Sequence, residues 1–506
     1  MKTIYKVDKM DKLSPVALTL VAVSILSALY YLSYILNSDY IEDLLLYMML
    51  VVIELYVVVT SVFTWWTILF HEKGRIMAQL SLDTPKKQSN KTKVALLFLT
   101  HAEPIDLVEK ALISVRDLNT NVNVYLGDDG RRPEVERLCV KYDVTYVTRS
   151  NNKYFKSGNI NNILKNSDEE FIGIFDIDHI PYPEFFEQTL PYFEDKQVGF
   201  VQAPQFYYNT NNLISKGASG SQNVFYELIM PGKNSFNSTI CVGTNVVFRK
   251  KALDEALGGG IYLIEHSEDI YTGLALHERG WKSVYVPKVL AEGLAPDSLS
   301  AFFKQQLRWA RGGFSLLFHK NILFSTNLNI EQKMQYFFSA IHYFSGFVIL
   351  FYFALPIIFL FTSHKPLVFT EGNTWVLHYL PFFISKFVLI FYLMGKFELS
   401  LLSSSLALFP VYIKAFFLEV FRSSYQWAST NAQRTQVSRK SESIFSFLRW
   451  HYLFILLSLG GVVAGLLTIE DRLTFYIFSF WALFNAFLLI HFVVGSMKIE
   501  IIGRKK

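Results

Sequence analysis

The sequence predicts an α/β domain with a mostly parallel sheet, inserted between transmembrane α-helices. Three observations predict this class. The chain of 506 residues is 51% apolar with a mean hydropathy of +0.27, which is too apolar for a soluble protein of this size. Long apolar runs lie towards both ends of the chain. Between them, residues 94–330 alternate short apolar strands with helical stretches and carry too much charge for a membrane bundle.

Six segments are predicted to span the membrane. Each is long and apolar enough to cross about 30 Å of hydrocarbon, which takes roughly 20 helical residues. The first is too long for a cleaved signal, and no small-residue cleavage site precedes the acidic stretch 38–43. The predicted spans are 15–36, 43–70, 335–362, 375–395, 450–469 and 473–496.

A seventh apolar run, 400–421, is predicted to be an interfacial helix. Lys and Arg are concentrated in the N-terminus, in 71–93, in 422–449 and in 502–506, and positive residues stay in the cytoplasm. These facts agree only if 400–421 does not cross, and Pro410, Lys414 and Glu419 within it favour a helix lying on the membrane surface. The soluble domain and both termini are then cytoplasmic, at the cell membrane. A seventh span with an outside C-terminus is the alternative.

The predicted organisation has six parts. They are two N-terminal helices (1–70), a cytosolic linker (71–93), the soluble domain with interfacial helices near its end (94–330), a transmembrane hairpin (331–397), the interfacial helix and a following segment (398–449), and a C-terminal hairpin with a basic tail (450–506).

Within the soluble domain, near-continuous apolar runs alternate with helical stretches such as 106–117 and 133–141. This pattern predicts a mostly parallel sheet covered on both faces. Ligands of such sheets bind beyond the carboxyl ends of the strands, and polar residues follow several of the runs here. The strand-like runs are 94–100, 122–128, 144–147, 171–178, 198–204 and 240–248.

Composition excludes several other classes. The net charge of +5 is mild and the basic residues flank apolar segments, so no nucleic-acid partner is expected. Cys139 and Cys241 lie in the segment predicted to be cytosolic, so no disulfide is expected. No His/Cys cluster has zinc spacing.

The segment 175-FDIDH-179 offers two carboxylates at the end of a predicted strand. On an extended chain Asp176 and Asp178 point the same way, and carboxylates that close repel each other unless a cation lies between them. Mg²⁺ or Mn²⁺, completed by phosphate oxygens, is the natural occupant. A solvated Asp-rich turn is the alternative.

Two further segments are suited to a nucleoside diphosphate. In 128-DDG-130, Asp128 and Asp129 are suited to accept hydrogen bonds from a nucleoside, although an ordinary turn has the same signature. In 153-KYFKSGNINN-162, Lys156 precedes small residues that let a backbone approach a diphosphate. A capped helix start explains the same letters.

A pair of acids, Glu268 and Asp269, begins a predicted amphipathic helix in 265-EHSEDIYTGLALHERGW-281. Asp269 is suited to act as a general base that takes a proton from an acceptor hydroxyl. The alternative is structural, because acidic residues at a helix N-terminus are stabilised by the helix dipole.

The stretch 304-KQQLRWARGGF-314 places Gln305, Arg308 and Trp309 within five residues. The Arg is suited to stabilising a departing diphosphate, and the Trp to stacking on an acceptor sugar. A Trp-Arg pair near a membrane edge is otherwise an interfacial anchor.

The order of these motifs resembles that of the membrane-integrated processive family 2 glycosyltransferases, such as cellulose, hyaluronan and chitin synthases. The similarity covers about residues 94–440, and its most specific part is Gln-x-x-Arg-Trp (305–309) after Glu-Asp (268–269). The arrangement is most similar to the bacterial cellulose synthases, on the evidence of 202-QAPQFYYN-209 and 156-KSGNIN-161.

The resemblance implies a GT-A fold, a nucleotide-sugar donor (usually a UDP-sugar), Mg²⁺ or Mn²⁺ as cofactor, and inversion at the anomeric carbon. It also implies roles for the candidate residues. On the donor side, Asp128, Asp129 and Glu103 would bind the nucleoside, Lys156 the diphosphate, and Asp178 with Asp176 the metal. On the acceptor side, Asp269 beside Glu268 would be the base, and the acceptor sugar would meet the pyrophosphate at Gln305, Arg308 and Trp309.

The chain departs from the family pattern at three places. His101 occupies the aromatic position that stacks on the donor base. The acceptor-side segment contains Gly243 and Thr244 where a Cys-Gly-Ser form is commoner, which leaves the acceptor open. The gating segment has Thr435 and Ser438 where the cellulose type has Phe and Thr.

The sequence therefore predicts a membrane glycosyltransferase that extends a β-linked polysaccharide, with translocation across the membrane as a coupled step. Its predicted partners are a nucleotide-sugar donor, a glycan or lipid acceptor and the bilayer. A non-processive transferase acting on diacylglycerol or a polyprenyl phosphate is the alternative, since it would share every donor-side residue. A transporter or receptor with an inactive domain is disfavoured by the complete acidic set.

Overall fold

The computed structural model describes residues 14–80, 93–368, 374–395, 398–422 and 444–505. Most of the predicted linker, 81–92, and the gating segment with Thr435 and Ser438 lie outside the described residues. The described chain forms an α/β domain flanked by long apolar helices.

A seven-stranded sheet organises the α/β domain. The strand order is β3-β2-β1-β4-β7-β6-β8, and β1 pairs in parallel with both β2 and β4. The predicted mostly parallel sheet is therefore confirmed. The strands are β1 (Val94–Thr100), β2 (Asn123–Asp128), β3 (Thr145–Val147), β4 (Phe171–Asp176), β6 (Val198–Gln202), β7 (Val246–Arg249) and β8 (Lys282–Tyr285).

Strand β1 shows why the apolar runs form a central sheet. All seven of its residues are buried, and alternate side chains face opposite sides of the strand. Leu96 and Phe98 join the hydrophobic core on one face, while Ala95 and Leu97 join the core on the other. A strand that is apolar at every position is thereby covered on both faces, as the sequence predicts.

One predicted strand is shorter and runs in the opposite direction. The run 240–248 is extended only from Val246, and β7 pairs antiparallel with both β4 and β6. The preceding residues leave the sheet because Gly243 and Asn245 have φ of 77° and 53°, in the left-handed region that strands exclude. This bent segment belongs to the candidate site described below.

A second, two-stranded sheet was not predicted. It pairs β5 (His179–Pro181) antiparallel with β9 (Ala291–Gly293), so that His179 lies opposite Gly293. Because β5 starts directly after Asp178, this small sheet fixes the chain that leaves the carboxyl end of β4.

The helices of the α/β domain cover both faces of the sheet and continue towards the membrane. Helix α8 passes through a π-helical turn (Phe225–Ile229) into α9. The helices are α4 (Ile105–Ser114), α5 (Pro133–Tyr142), α6 (Phe155–Leu164), α7 (Phe185–Thr189), α8 (Leu213–Val224), α9 (Met230–Asn234), α10 (Lys250–Leu257), α11 (Glu268–Glu278), α12 (Leu299–His319) and α13 (Ile330–Ile341).

The remaining helices are largely apolar. Leu26, Val52 and Leu467 are 65%, 66% and 80% exposed, as expected of faces that contact lipid. These helices are α1 (Pro15–Ile35), α2 (Leu44–Leu69), α3 (His71–Leu80), α14 (Ser345–Thr362), α15 (Thr374–Met394), α16 (Leu399–Ala407), α17 (Phe409–Val420), α18 (Ile444–Thr468) and α19 (Arg472–Lys505).

Seven helical segments of the described chain are long and apolar enough to cross a membrane. Six of them match the predicted spans, and the seventh is Leu399–Val420, which charge distribution assigns to the membrane surface. This segment is broken at Leu408 into α16 and α17, of 9 and 12 residues, and each alone is shorter than the roughly 20 residues a span requires. Helix α17 also packs along α12 of the α/β domain. The interfacial location of this segment stays a prediction.

Candidate active site

The sheet brings the acidic residues of three separate segments to one edge. In the strand register, Thr100 pairs with Asp128 and Leu99 pairs with Asp176. Since β1, β2 and β4 are parallel, their carboxyl ends meet at this edge, where ligands of open α/β sheets bind.

The acids that follow β2 are held by arginine side chains. Asp128 accepts hydrogen bonds from the backbone N–H groups of Gly130 (2.9 Å) and Arg132 (2.8 Å). Both oxygens of Asp129 accept hydrogen bonds from Arg149, Nε at 2.6 Å and Nη2 at 2.7 Å. Asp128 and Asp129 thus each have protein partners at both oxygens, and their contact with a nucleoside stays a prediction.

The loop after β1 is tied to the same framework. Oε2 of Glu103 accepts hydrogen bonds from the Thr100 hydroxyl (2.8 Å) and from the His101 backbone N–H (2.7 Å). The predicted donor-binding carboxylate therefore folds back onto its own loop. That contact holds the backbone of His101, which is half-buried. The resemblance places the ring of this residue against the donor base.

A possible metal cluster lies at the end of β4. Ligand atoms of Asp176, Asp178 and His179 all lie within 4.8 Å of one another. Strand β4 ends at Asp176, and a turn, rather than the extended chain assumed from the sequence, brings Asp178 beside it and adds His179. His179 Nδ1 lies 2.9 Å from Asp178 Oδ1, and its buried Nε2 has no hydrogen-bond partner among the described residues.

Lys156 connects this cluster to the bent segment before β7. Its Nζ donates hydrogen bonds to Asp176 Oδ1 (2.6 Å) and to the Gly243 carbonyl (2.8 Å). Burial lowers the pKa of Lys156, but the charges of Asp176 and Glu268 outweigh that effect and raise it above the usual value. Lys156 thus stays charged beside Asp176. Helix α6 begins at Phe155, so the predicted helix start and a place in the site are compatible.

Asp269 lies beside Gly243, in the first turn of α11. A Cβ placed on Gly243 would be 3.0 Å from Asp269 Oδ2 and 3.3 Å from Lys156 Nζ, so both side chains lie against the space that a side chain at residue 243 would occupy. Burial, followed by the charge of Glu268, raises the pKa of Asp269 to about 7, while Lys156 acts in the other direction. A carboxyl whose pKa lies near neutrality has the property required of a general base.

Thr244 holds the bent segment to β4. Its hydroxyl accepts a hydrogen bond from the Asp176 backbone N–H at 3.1 Å, and its side chain is fully buried. Gly243 and Thr244 therefore position the site, and their predicted contact with an acceptor stays a prediction.

Helix α12 brings Arg308, from the motif 305–309, close to Asp176 and Asp269. Burial raises the pKa of Asp176, but the charge of Lys156, with a smaller contribution from Arg308, outweighs burial and leaves that pKa below its usual value. The charge of Arg308 also lowers the pKa of Asp269, where burial prevails. Arg308 and Gly312 lie one helical turn apart on one face, and Gly312 packs so closely on Ser267 that a side chain there would overlap the Ser hydroxyl. Arg308 is therefore directed at the acidic site, against the interfacial-anchor interpretation.

Gln305 of this motif is also placed beside the site. It is buried and lies close to Tyr207, a tyrosine near Asp178. Trp309 is half-buried, and its contact with an acceptor sugar stays a prediction. The structure thus brings Lys156, Asp176, Asp178, Asp269, Gln305 and Arg308 together, and two of them lie against Gly243.

Sequence reasoning missed two residues of this site. His179 follows Asp178 directly, so the letters 175-FDIDH-179 contained the signal for a third ligand. Tyr207 lies in 202-QAPQFYYN-209, a segment without an assigned chemical role, and its ring centre lies 6.2 Å from that of His179. No spacing rule indicates that a tyrosine of this segment reaches the end of β4.

Comparison with known sequences identifies the class. Residues 106–312 match the family described as "Glycosyltransferase like family 2", and residues 254–399 match "Cellulose synthase". The predicted class, a glycosyltransferase, is confirmed: the match at residues 106–312 falls on the α/β domain, and the apolar helices that flank this domain indicate a multi-pass membrane protein.

Within that class the chain is similar to cellulose synthases. It is 32% identical over 271 residues to the cellulose synthase catalytic subunit [UDP-forming] of Xanthomonas axonopodis pv. citri, a match that covers 52% of this chain and 37% of that protein. It is 31% identical over 270 residues to the subunit of the same name from Pseudomonas fluorescens, covering 52% and 36%. The chain thus matches well under half the length of these curated relatives.

Solved structures with a related shape are more distant. A mannosyltransferase from Pyrobaculum calidifontis, in complex with GDP-Man and Mn²⁺, is 13% identical with a TM-score of 0.49, covering 71% of this chain and 99% of that one. TarS from S. aureus is 12% identical with a TM-score of 0.34, covering 70% and 57%.

Proposed function

We propose that this protein is an inverting glycosyltransferase that extends a β-linked polysaccharide from a nucleotide-sugar donor, with UDP-sugars as the first candidates. The similarity to cellulose synthases supports the class of product. The active site is proposed to face the cytoplasm, with the membrane helices providing the path for the growing polymer.

The observation that carries the proposal is the position of Asp269. This half-buried carboxyl, with a pKa raised to about 7, lies with Lys156 at the face of Gly243 that has no side chain, and Lys156 in turn contacts Asp176. A base close to a fixed cation and a cation-binding cluster is suited to a single displacement, because the acceptor can be deprotonated near the place where the departing diphosphate is stabilised.

The cluster at the end of β4 fits Mg²⁺ or Mn²⁺. Asp176 and Asp178 supply the carboxylate oxygens that these ions prefer, His179 adds a nitrogen, and the three ligand atoms lie within 4.8 Å of one another. Asp176, Asp178 and His179 would hold the ion. A divalent cation bound there would neutralise charge on the diphosphate.

The chain's own residues account for the transfer itself. Asp269 takes the proton of the acceptor hydroxyl, and that oxygen bonds to the anomeric carbon as the bond from this carbon to the phosphate oxygen breaks. The electron pair of the broken bond leaves with the nucleoside diphosphate, which Lys156 and Arg308 stabilise. Attack opposite to the leaving group inverts the anomeric configuration, and Trp309 would stack on the acceptor sugar.

A donor panel with product sizing tests the proposal. Protein purified in detergent is incubated with radiolabelled UDP-glucose, UDP-N-acetylglucosamine or GDP-mannose, with Mn²⁺, Mg²⁺ or EDTA. We expect metal-dependent transfer from a UDP-sugar into a polymer that β-specific glycosidases digest. A single sugar on an extractable lipid would instead favour the diacylglycerol or polyprenyl phosphate alternative, and no transfer from any donor would contradict the assignment as an enzyme.

A further inference from the structure

A buried carboxylate on α17 joins one arginine and two histidine side chains outside the catalytic cluster. Glu419 is 4% exposed, and its Oε1 lies 2.5 Å from Arg311 Nε and 3.5 Å from His266 Nε2. Its Oε2 lies 3.6 Å from His319 Nε2. A carboxylate this deeply buried requires a partner of opposite charge, which Arg311 on α12 supplies, and the contact with His266 adds a second element of the α/β domain.

Both elements lead directly to the proposed chemistry. Arg311 follows Arg308 by three residues on α12 and precedes Gly312, the residue that packs on Ser267. His266 precedes Ser267, and the chain then enters α11, where Asp269 lies in the first turn. Glu419 therefore ties together the helix that carries Arg308 and the loop that carries Asp269.

The loop needs such an anchor. Ser267 has φ of 61°, a left-handed conformation that a residue other than glycine keeps only where its surroundings hold it. On the other side, the Ser157 hydroxyl donates a hydrogen bond to the Ile264 carbonyl at 2.9 Å. The loop is thus held by α6 at one end and by Glu419 at the other.

We propose that Glu419 is a positioning residue for the transfer reaction: by holding Arg311 and His266 together, it keeps Arg308 and Asp269 in one geometry. The expected effect on kcat rests on the proposed function, whereas the contacts of Glu419 do not. It also links α17, the helix that sequence assigns to the membrane surface, to the chemistry at the end of the sheet.

The test compares Glu419→Gln with a matched control. Glu278→Gln removes the ion pair of Glu278 with Lys320 (3.0 Å), which joins the same two parts of the chain at the far end of α11, roughly 14 Å along the helix axis from Asp269 at 1.5 Å per residue. For each variant, kcat and the donor KM are measured with the best donor of the panel. Hydrogen–deuterium exchange is followed in peptides that cover 262–270.

For Glu419→Gln we expect kcat to fall about 30-fold, because a small displacement of positioned groups is costly, while the donor KM changes less than about threefold. Exchange in 262–270 should become at least about fivefold faster, since the loop loses an anchor. The control should match the wild-type protein in both measurements. Unchanged exchange in Glu419→Gln, or an equal fall in kcat in Glu278→Gln, would overturn the proposal.

A second variant covers the case in which Glu419→Gln does not fold. His266→Gln leaves the pair of Arg311 with Glu419 in place and releases only the loop, and we expect faster exchange and a smaller fall in kcat. Wild-type exchange in His266→Gln would contradict the anchoring role. If the wild-type protein transfers from no donor, the proposed function fails, while the exchange experiment still decides whether Glu419 holds the loop.

Discussion

Two pairs of acidic residues follow neighbouring strands of one sheet and are treated differently by the fold. Asp128 and Asp129, at the end of β2, accept hydrogen bonds from arginine side chains and backbone N–H groups. At the end of β4, Asp176 contacts Lys156 and Asp178 contacts His179, and Lys156 and Asp269 both lie against Gly243.

The difference distinguishes a framework from a reactive site. A buried carboxylate that is paired with an arginine stabilises the protein, and removing one partner of a buried pair is strongly destabilising. Carboxylates packed against each other repel, which costs stability unless a cation relieves it. The order of effects expected from variants therefore differs between the two pairs.

The largest effect is expected from Asp269→Asn. The amide cannot accept the acceptor's proton, so kcat should fall about 10³-fold, within the range known for general-base catalysis. Binding of UDP with Mn²⁺, measured by calorimetry, should stay within about threefold, because Asp269 does not contact the nucleotide in the proposed mechanism. Glu265→Gln, an exposed residue of the same loop, is the control. Turnover close to that of the control would remove Asp269 as the base.

The pH dependence of kcat should report the ionisation of Asp269. A general base works only when deprotonated, and the pKa of Asp269 is raised to about 7 by burial and by Glu268. The rate should therefore rise with pH, by about tenfold per pH unit below pH 7, and level off above it. A flat profile between pH 5 and pH 8, measured with donor saturating at each pH, would contradict this assignment.

For the pair Asp128 and Asp129, we expect variants to change the stability of the protein rather than its turnover. Arg149→Ala leaves Asp129 buried and without its bidentate partner, which should lower the free energy of unfolding by about 3 kcal/mol. Asp178→Asn should leave the unfolding temperature within about 2 °C of the wild type or raise it, since it reduces repulsion with Asp176. Thermal unfolding in detergent, followed by tryptophan fluorescence, compares the two. Equal destabilisation by both variants would remove the distinction.

The sequence predicted the strands whose apolar character is continuous, and it missed features that depend on distant contacts. The runs that became β1 and β4 are almost entirely buried, so their composition alone identifies them. Strand β5 has three residues and forms only because β9, more than a hundred residues later, pairs with it. His179 was a visible candidate from its place after Asp178, but the turn that brings it to Asp176 lies next to that distant pairing.

The approach of α12 to α11 was likewise beyond sequence reasoning. The order of motifs placed Asp269 and Arg308 in one site through resemblance, whereas the physical reason is the packing of Gly312 on Ser267 and the bridge through Glu419. Neither contact leaves a periodic pattern in the chain. The charge rule that predicts a surface location for 400–421 counts side chains over many segments, and the break at Leu408 is a local feature that it does not address.

Titration with Mn²⁺ tests the central claim most directly. Free Mn²⁺ is followed by its electron paramagnetic resonance signal, in the absence of nucleotide, for the wild-type protein, Asp178→Asn and Asp129→Asn. The account predicts a site whose affinity falls at least about tenfold in Asp178→Asn and is unchanged in folded Asp129→Asn. Unaltered Mn²⁺ binding in Asp178→Asn would show that the acids at the end of β4 do not hold the cation, and would contradict the mechanism built on them.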